Sequence, residues 1–374
     1  MVKDDFFNQI FQENINGKKY FVFDNGKKTW IIPTKNMNKG FGIYQASNIK
    51  GKIMKTFFPM IRWSKIVRKI AKCRIKKLSL RREIIQIIEK YCSEDYQCSV
   101  YYGNLDESQQ NAKATIQVFN QNNIFIFIKV TNNEENKKTF VKEKRALQYL
   151  ERKKIVNIPK CISIEKFGGW SAFVQDTTNK KIKSSFIFSE AHWEFLINIY
   201  NATKCIDKYQ NSDICVYFNK LSVLMENNPQ LDKNNILGRS LAYVKSWLEA
   251  DEKIYTFAHG DFTPWNTYVV EGKIYVYDFE YCLKRSVPFF DFFHFICQKN
   301  LIKRGMDTKS TIREYNAFKQ RMLQFIDEPD KAFCSYLLYI ITFYFVRTKN
   351  QLDLEDRKIK YRLKLLQILI EKEV

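Results

Sequence analysis

The string HGDFTPWN, from His259 to Asn266, leads directly into two short strand-like runs, TYVV and IYVYDF, parted by Glu271-Gly272-Lys273. A polar loop set against a tight hairpin brings Asp261, Asn266 and Asp278 into eighteen residues of sequence, so the chain needs a fold in which a loop carries them. The rest of the sequence divides by type around that need. It is β-rich up to a polar connection near residue 178 and mainly helical beyond it.

Residues 1 to about 55 alternate short apolar runs with turns at Asn25-Gly26 and Lys39-Gly40, which predicts a small β-rich element. The following FFPMIRWSKIVRKIAKCRIKK predicts one basic amphipathic helix. Trp63, Ile66, Val67 and Ile70 lie on one face, and Arg62, Lys65, Lys69, Lys72 and Lys76 on an offset one. Such a helix either lies in a membrane interface, with Phe57, Phe58 and Trp63 as anchors, or docks on the body of the protein. A second helix is expected over Leu80 to Tyr91, then a three-stranded meander over residues 98–103, 114–120 and 124–130, closing near Lys129. A helix carrying Phe140, Glu143, Ala146, Leu147 and Leu150 follows, and two strands around Gly168-Gly169 lead to a hinge near Gln175 to Thr178. The expected domains are a basic N-terminal extension (1–92), a β-rich lobe (93–178) and a helical lobe bearing the HGDFTPWN loop (179–374).

With 45% hydrophobic and 16% aromatic residues but only 12 Gly and 7 Pro, the chain has ample material for a core and little for flexible linkers. Nine scattered cysteines without a C-x-x-C pair predict neither a disulfide framework nor a zinc site, and point to a reducing cytosol. The acidic start, MVKDDFF, is unlike a signal peptide. The run from Ala332 to Val346 is too short to span a bilayer and is expected to be a buried helix. Net charge is +22, and residues 1–90 hold 21 Lys and Arg against 6 Asp and Glu, with no acidic side chain between Asp24 and Glu83. That imbalance favours an anionic partner or else a solvated lysine-rich surface.

The loop residues have the types that phosphoryl transfer requires. Asp261 can receive the proton of an attacking hydroxyl, while Asn266 and Asp278 offer oxygen ligands for Mg2+ on a nucleotide triphosphate. The string H-G-D-x-x-P-x-N, followed twelve residues after its Asn by D-F-E, resembles the protein-kinase-like fold and, within it, the aminoglycoside phosphotransferase and choline kinase superfamily. The similarity covers about residues 98–300. It implies an α+β, two-lobed architecture with a β-rich N-lobe and a mainly helical C-lobe, here preceded by the basic extension.

The resemblance also implies roles. Asp261 would be the catalytic base, Asn266 and Asp278 the metal ligands, and Lys129 with Glu143 the pair that contacts and orients around the α- and β-phosphates. Gln175 and Asp176 would contribute to adenine binding through the connecting backbone. His259 and Asp291 would brace the catalytic loop, and Glu280 would touch substrate or metal, or hydrogen-bond the loop. Gly103 is followed by no second glycine, so Ser108, Gln109, Gln110 or Lys113 is expected to help hold the phosphates. The expected activity is ATP- and Mg2+-dependent transfer to an alcohol group of a small molecule or glycan, with a sugar or envelope-polymer component preferred on charge. Alternatives are a choline- or aminoglycoside-type kinase, or a pseudokinase binding module at a membrane. Further expectations are an anionic membrane surface met through residues 50–82, peripheral to the inner face, and no nucleic-acid partner, since no reader motif is present.

Overall fold

Short, largely apolar runs separated by turns build the first half of the chain into a single sheet. The computed structural model describes residues 7–26, 28–44, 49–93, 95–103, 113–180, 183–232, 234–302, 306–348 and 356–371. The chain divides into two compact units, Met1–Gln148 with Pro159–Lys181, and Tyr149–Ile158 with Ile182–Val374. Ser108, Gln109 and Gln110 lie outside the described residues.

In the first unit, β1 (Phe11–Asp24) and β2 (Lys28–Pro33) pair antiparallel across a turn in which Gly26 takes φ 88°. β3 (Cys73–Leu80) adds to the far side of β1, and β2 pairs with β4 (Gln97–Gly103). The sheet continues through β5 (Ala114–Phe119) and β6 (Ile124–Thr131) to β7 (Cys161–Phe167) and β8 (Trp170–Gln175). Its order is β3-β1-β2-β4-β5-β6-β8-β7, so strands from the first 92 residues and strands of the meander share one ladder. The longer helices of this unit among the described residues are α1 (Ile49–Ile61), α2 (Lys65–Ile70), α3 (Arg82–Glu89) and most of α4 (Glu134–Arg152). One face of the sheet buries Val100, Ile116, Ile128 and Val174 with Ile84 and Ile88 of α3, and a second, smaller core gathers Phe21, Phe23, Phe41 and Phe58.

The single basic helix expected over residues 57–77 is corrected by the structure to α1, α2 and the first half of β3. Ser64 caps α2 by accepting from the Val67 N–H, and the chain then turns through Lys72 at φ 49°. From Cys73 the backbone pairs residue by residue with β1, Cys73 facing Phe23 and Leu78 facing Lys18. A partner strand thus outranks the local helical pattern.

The second unit is built on α5 (Glu190–Thr203), α6 (Asp213–Asn227), α7 (Ile236–Leu248), α8 (Phe290–Ile302), α9 (Thr308–Met322), α10 (Pro329–Arg347) and α11 (Arg357–Glu371). Small sheets are formed by β9 (Lys183–Ser184), β12 (Thr267–Val270) and β13 (Lys273–Val276), and by β10 (Cys205–Asp207), β11 (Lys253–Ala258) and β14 (Leu283–Ser286). α10 is the expected buried helix, and no helix among the described residues is long and apolar enough to cross a membrane. α8 buries Phe290, Phe292, Phe293 and Phe295, with Phe293 stacked on Phe333 of α10 at 4.7 Å. A helix buried on every side has a fixed rotation, so its polar residues point where packing places them.

Candidate active site

Strand β11 ends at Ala258, and the next three residues form a bend that only one residue type fits. Gly260 takes φ 83°, and a Cβ there would stand 2.2 Å from the carbonyl oxygen of Tyr281. We expect Gly260→Ala to cost about 1–3 kcal/mol from backbone strain alone, with the clash adding to it. Thermal unfolding of the purified variant checks this, and an unchanged Tm would show that the bend tolerates a side chain.

The bend is held from below by Asp291, in the first turn of α8. Its two carboxylate oxygens accept the backbone N–H of His259 at 2.7 Å and of Gly260 at 3.0 Å. Burial pushes the Asp291 carboxyl up, and the nearby His259 and the two N–H donors oppose that shift. His259 is itself buried, which lowers its pKa, with Asp291 and Asp261 acting in the other direction. A neutral imidazole matches its bonding: Nδ1 accepts from the Asp261 N–H at 3.1 Å, and Nε2 donates to the Tyr277 carbonyl at 3.0 Å. His259 therefore ties the loop to the residue just before Asp278.

Asp261 leaves this bend with its carboxylate clamped at both oxygens. Nδ2 of Asn266 donates to Oδ2 at 2.8 Å and to the Asp261 main-chain carbonyl at 3.0 Å. Nε2 of His294 donates to Oδ1 at 3.1 Å, and the Tyr336 hydroxyl lies 3.4 Å from the other imidazole nitrogen. The His294 side chain is 3% exposed and that of Asp261 28%, so the buried donor fixes an acceptor that still reaches solvent. Asn266 is buried, donates its N–H to the Thr263 carbonyl and accepts from the Tyr277 N–H, which joins the loop to the hairpin. With both hydrogens of its amide nitrogen engaged by Asp261, the polar atom left to Asn266 is its carbonyl oxygen.

Asp278 follows β13 with φ 73° and ψ 59° and opens the short turn Phe279–Tyr281, in which Glu280 is buried. A left-handed aspartate is a strained choice that surrounding structure must impose. The oxygen donors of Asn266 and Asp278 suit a hard cation that keeps most of its own waters, as Mg2+ does. Among the described residues, no group of three His, Cys, Asp or Glu side chains forms a closed metal cage.

In the first unit, Lys129 sits on β6 and Glu143 on α4, and Nζ lies 2.8 Å from each carboxylate oxygen. Both side chains are buried, and the ammonium also lies 5.6 Å from the ring centre of Phe173 on the neighbouring strand β8. Gln175 ends β8 opposite Phe127, and its buried Oε1 has no hydrogen-bond partner among the described residues. The Asp176 carboxylate accepts the Lys160 N–H at 2.5 Å, so this side chain is committed to the backbone. Lys113 directly precedes β5 and is half-buried.

The structure thus joins His259, Asp261, Asn266 and Asp291 in one hydrogen-bonded group, with Asp278 attached through Tyr277, and separately joins Lys129 to Glu143. The residue the sequence reading passed over is His294. Its signal was its place three residues after Asp291, which puts both on one face of a helix. The remaining histidine, His192, uses Nδ1 in the capping of α5.

A β-rich unit with a Lys–Glu pair, followed by a helical unit with a clamped aspartate loop, is the protein-kinase-like α+β fold. Solved structures of this fold align with the chain over most of its length. Similar structures include a thermostable mutant of the aminoglycoside phosphotransferase APH(4)-Ia in apo form, at TM-score 0.51 and 12% identity, covering 77% of this chain and 98% of that one. The same enzyme in ternary complex with AMP-PNP and hygromycin B matches at TM-score 0.51 and 9% identity, covering 78% and 98%. No protein-family model matches the sequence, and no curated protein matches it.

Proposed function

We propose that the protein is an ATP- and Mg2+-dependent phosphotransferase that moves the γ-phosphate to a hydroxyl of a small molecule or glycan, with Asp261 as the base. The observation that carries this reading is the two-sided clamp on Asp261, which holds a partly exposed carboxylate in a single orientation. The acceptor O–H gives its proton to Asp261 while its oxygen attacks the γ-phosphorus. The bond to the β–γ bridging oxygen breaks and ADP leaves. Asn266 and Asp278 would hold Mg2+, which when bound neutralises phosphate charge. Lys129, oriented by Glu143, takes the α- and β-phosphates, and the Oε1 of Gln175, which has no hydrogen-bond partner among the described residues, serves the adenine together with the main chain of Asp176. His259 and Asp291 brace the loop, and Glu280 supports its buried turn.

A charge of +22 matches an anionic acceptor, such as a sugar on a phosphate-linked carrier or an envelope polymer, better than a polycationic aminoglycoside. The reading places the reaction in the cytoplasm, where ATP is available. A transfer assay with γ-labelled ATP and Mg2+ against sugars, lipid-linked glycans, amino alcohols and aminoglycosides tests it. Label in no acceptor, together with no Mg2+-dependent nucleotide binding, would overturn it.

His294 acts here as a positioning residue. His294→Ala should lower kcat by about 10–100-fold, as loss of a supporting hydrogen bond commonly does, and leave the KM for ATP nearly unchanged. His294→Gln, which keeps a donor, should recover part of the rate. A variant that loses only Tm would remove His294 from the reaction.

A further inference from the structure

Helices α1 and α2 carry apolar side chains on two faces, and only one of those faces is covered. The inner face rests on the smaller core: Phe58 meets Phe21 edge-on at 5.5 Å and Phe23 at 4.9 Å, and Met54, Val67 and Ala71 pack beside them. The outer side carries Phe57, Met60 and Ile61 of α1 and Ile66 and Ile70 of α2, between 49% and 79% exposed, and between the helices Trp63, 54% exposed, keeps its ring centre 5.6 Å from that of Phe21. Eight of the twenty exposed large apolar side chains among the described residues fall between Ile53 and Ile75. Such a concentration in water is costly and marks an interaction surface. Exposed Lys65, Lys69, Lys72, Arg74 and Lys77 accompany it, within the stretch that has no acidic residue.

We propose that the outer face of α1 and α2 docks on an anionic phospholipid bilayer. Charge and apolarity together select this occupant. Nucleic acid would pair with the cations but leave six large apolar side chains in water. A second copy of the chain would bring the same cationic face against this one, stacking like charges in a two-fold contact. An anionic membrane accepts both features. The apolar side chains enter the boundary between headgroups and acyl chains, and the lysines remain at the phosphate level. Trp63, half-exposed with the Arg62 guanidinium 5.5 Å from its ring centre, is an amphipathic group suited to that depth. Both helices are too short to span a bilayer and lie along the surface. The surface stands independently of the phosphotransferase reading.

Sedimentation of the full chain with phosphatidylglycerol–phosphatidylcholine vesicles tests the proposal. The protein should sediment with them at low salt, should not sediment with pure phosphatidylcholine, and should release as ionic strength rises. Phe57→Ser/Met60→Ser and Ile66→Ser/Ile70→Ser change exposed side chains, so their circular dichroism should match the parent while vesicle binding falls several-fold. Lys65→Glu/Lys69→Glu should abolish the preference for anionic lipid. Brominated lipid should quench the parent more than Trp63→Phe. No sedimentation at low salt, equal binding to neutral vesicles, or unchanged binding in the apolar variants would overturn the proposal. So would a concentration-dependent dimer that those variants dissolve, which would assign the face to a second copy.

Discussion

Replacing Asp261 with asparagine should lower the turnover of Mg2+-ATP-dependent transfer by about 10²–10⁴, the usual contribution of a positioned proton acceptor. The substitution nearly preserves shape. His294 can still donate to the retained oxygen, but the amide nitrogen that replaces Oδ2 would face the Nδ2 donor of Asn266. One hydrogen bond is therefore lost, worth about 1 kcal/mol of stability, while the proton acceptor disappears altogether. The two effects separate experimentally: Tm should fall slightly and kcat severely, with the KM for ATP much less affected. A variant within tenfold of the parent rate would rule out Asp261 as the base.

The second large effect concerns stability as well as chemistry. Lys129→Met should destabilise the protein by roughly 3–5 kcal/mol, because the fully buried Glu143 carboxylate would lose the ammonium that lies 2.8 Å from each of its oxygens. The double variant Lys129→Met/Glu143→Leu removes both charges and should recover most of that loss, since an apolar pair of similar volume is often neutral in place of a buried ion pair. Phosphate transfer should not recover with it. Denaturant unfolding and transfer assays on the single and double variants read the two properties apart. If the double variant regains activity together with stability, the pair has a structural role only.

The parts of the site that could be read from sequence were those whose members lie at fixed short distances along the chain. Asp261, Asn266 and Asp278 stood out as candidates by spacing, and Asp291 only through the family resemblance. His294 did not, because its partner is thirty-three positions away and only the rotation of α8, set by phenylalanine packing, brings them together. The strand at Cys73–Leu80 was misread for a related reason. Its sequence, CRIKKLSL, alternates weakly, and its conformation depends on pairing with β1, about fifty to seventy residues earlier. Periodicity also identified an amphipathic segment around Ile66 without stating which face meets the core. The inward position of Val67 and the outward ones of Ile66 and Ile70 follow from where the small phenylalanine core lies.

The pairing of β2 with β4 has a consequence for any attempt to shorten the chain. Trp30 stands against Tyr101 and Ile31 against Val100 along that seam. A protein cut to begin near residue 93 would lose the seam and present the backbone N–H and C=O groups of β4 as an unprotected template, with apolar side chains alongside. Self-association and low solubility are the expected fate of such a fragment. The cationic quarter of the sequence is thus a flank of the sheet rather than a removable appendage, and its properties are best dissected one surface residue at a time.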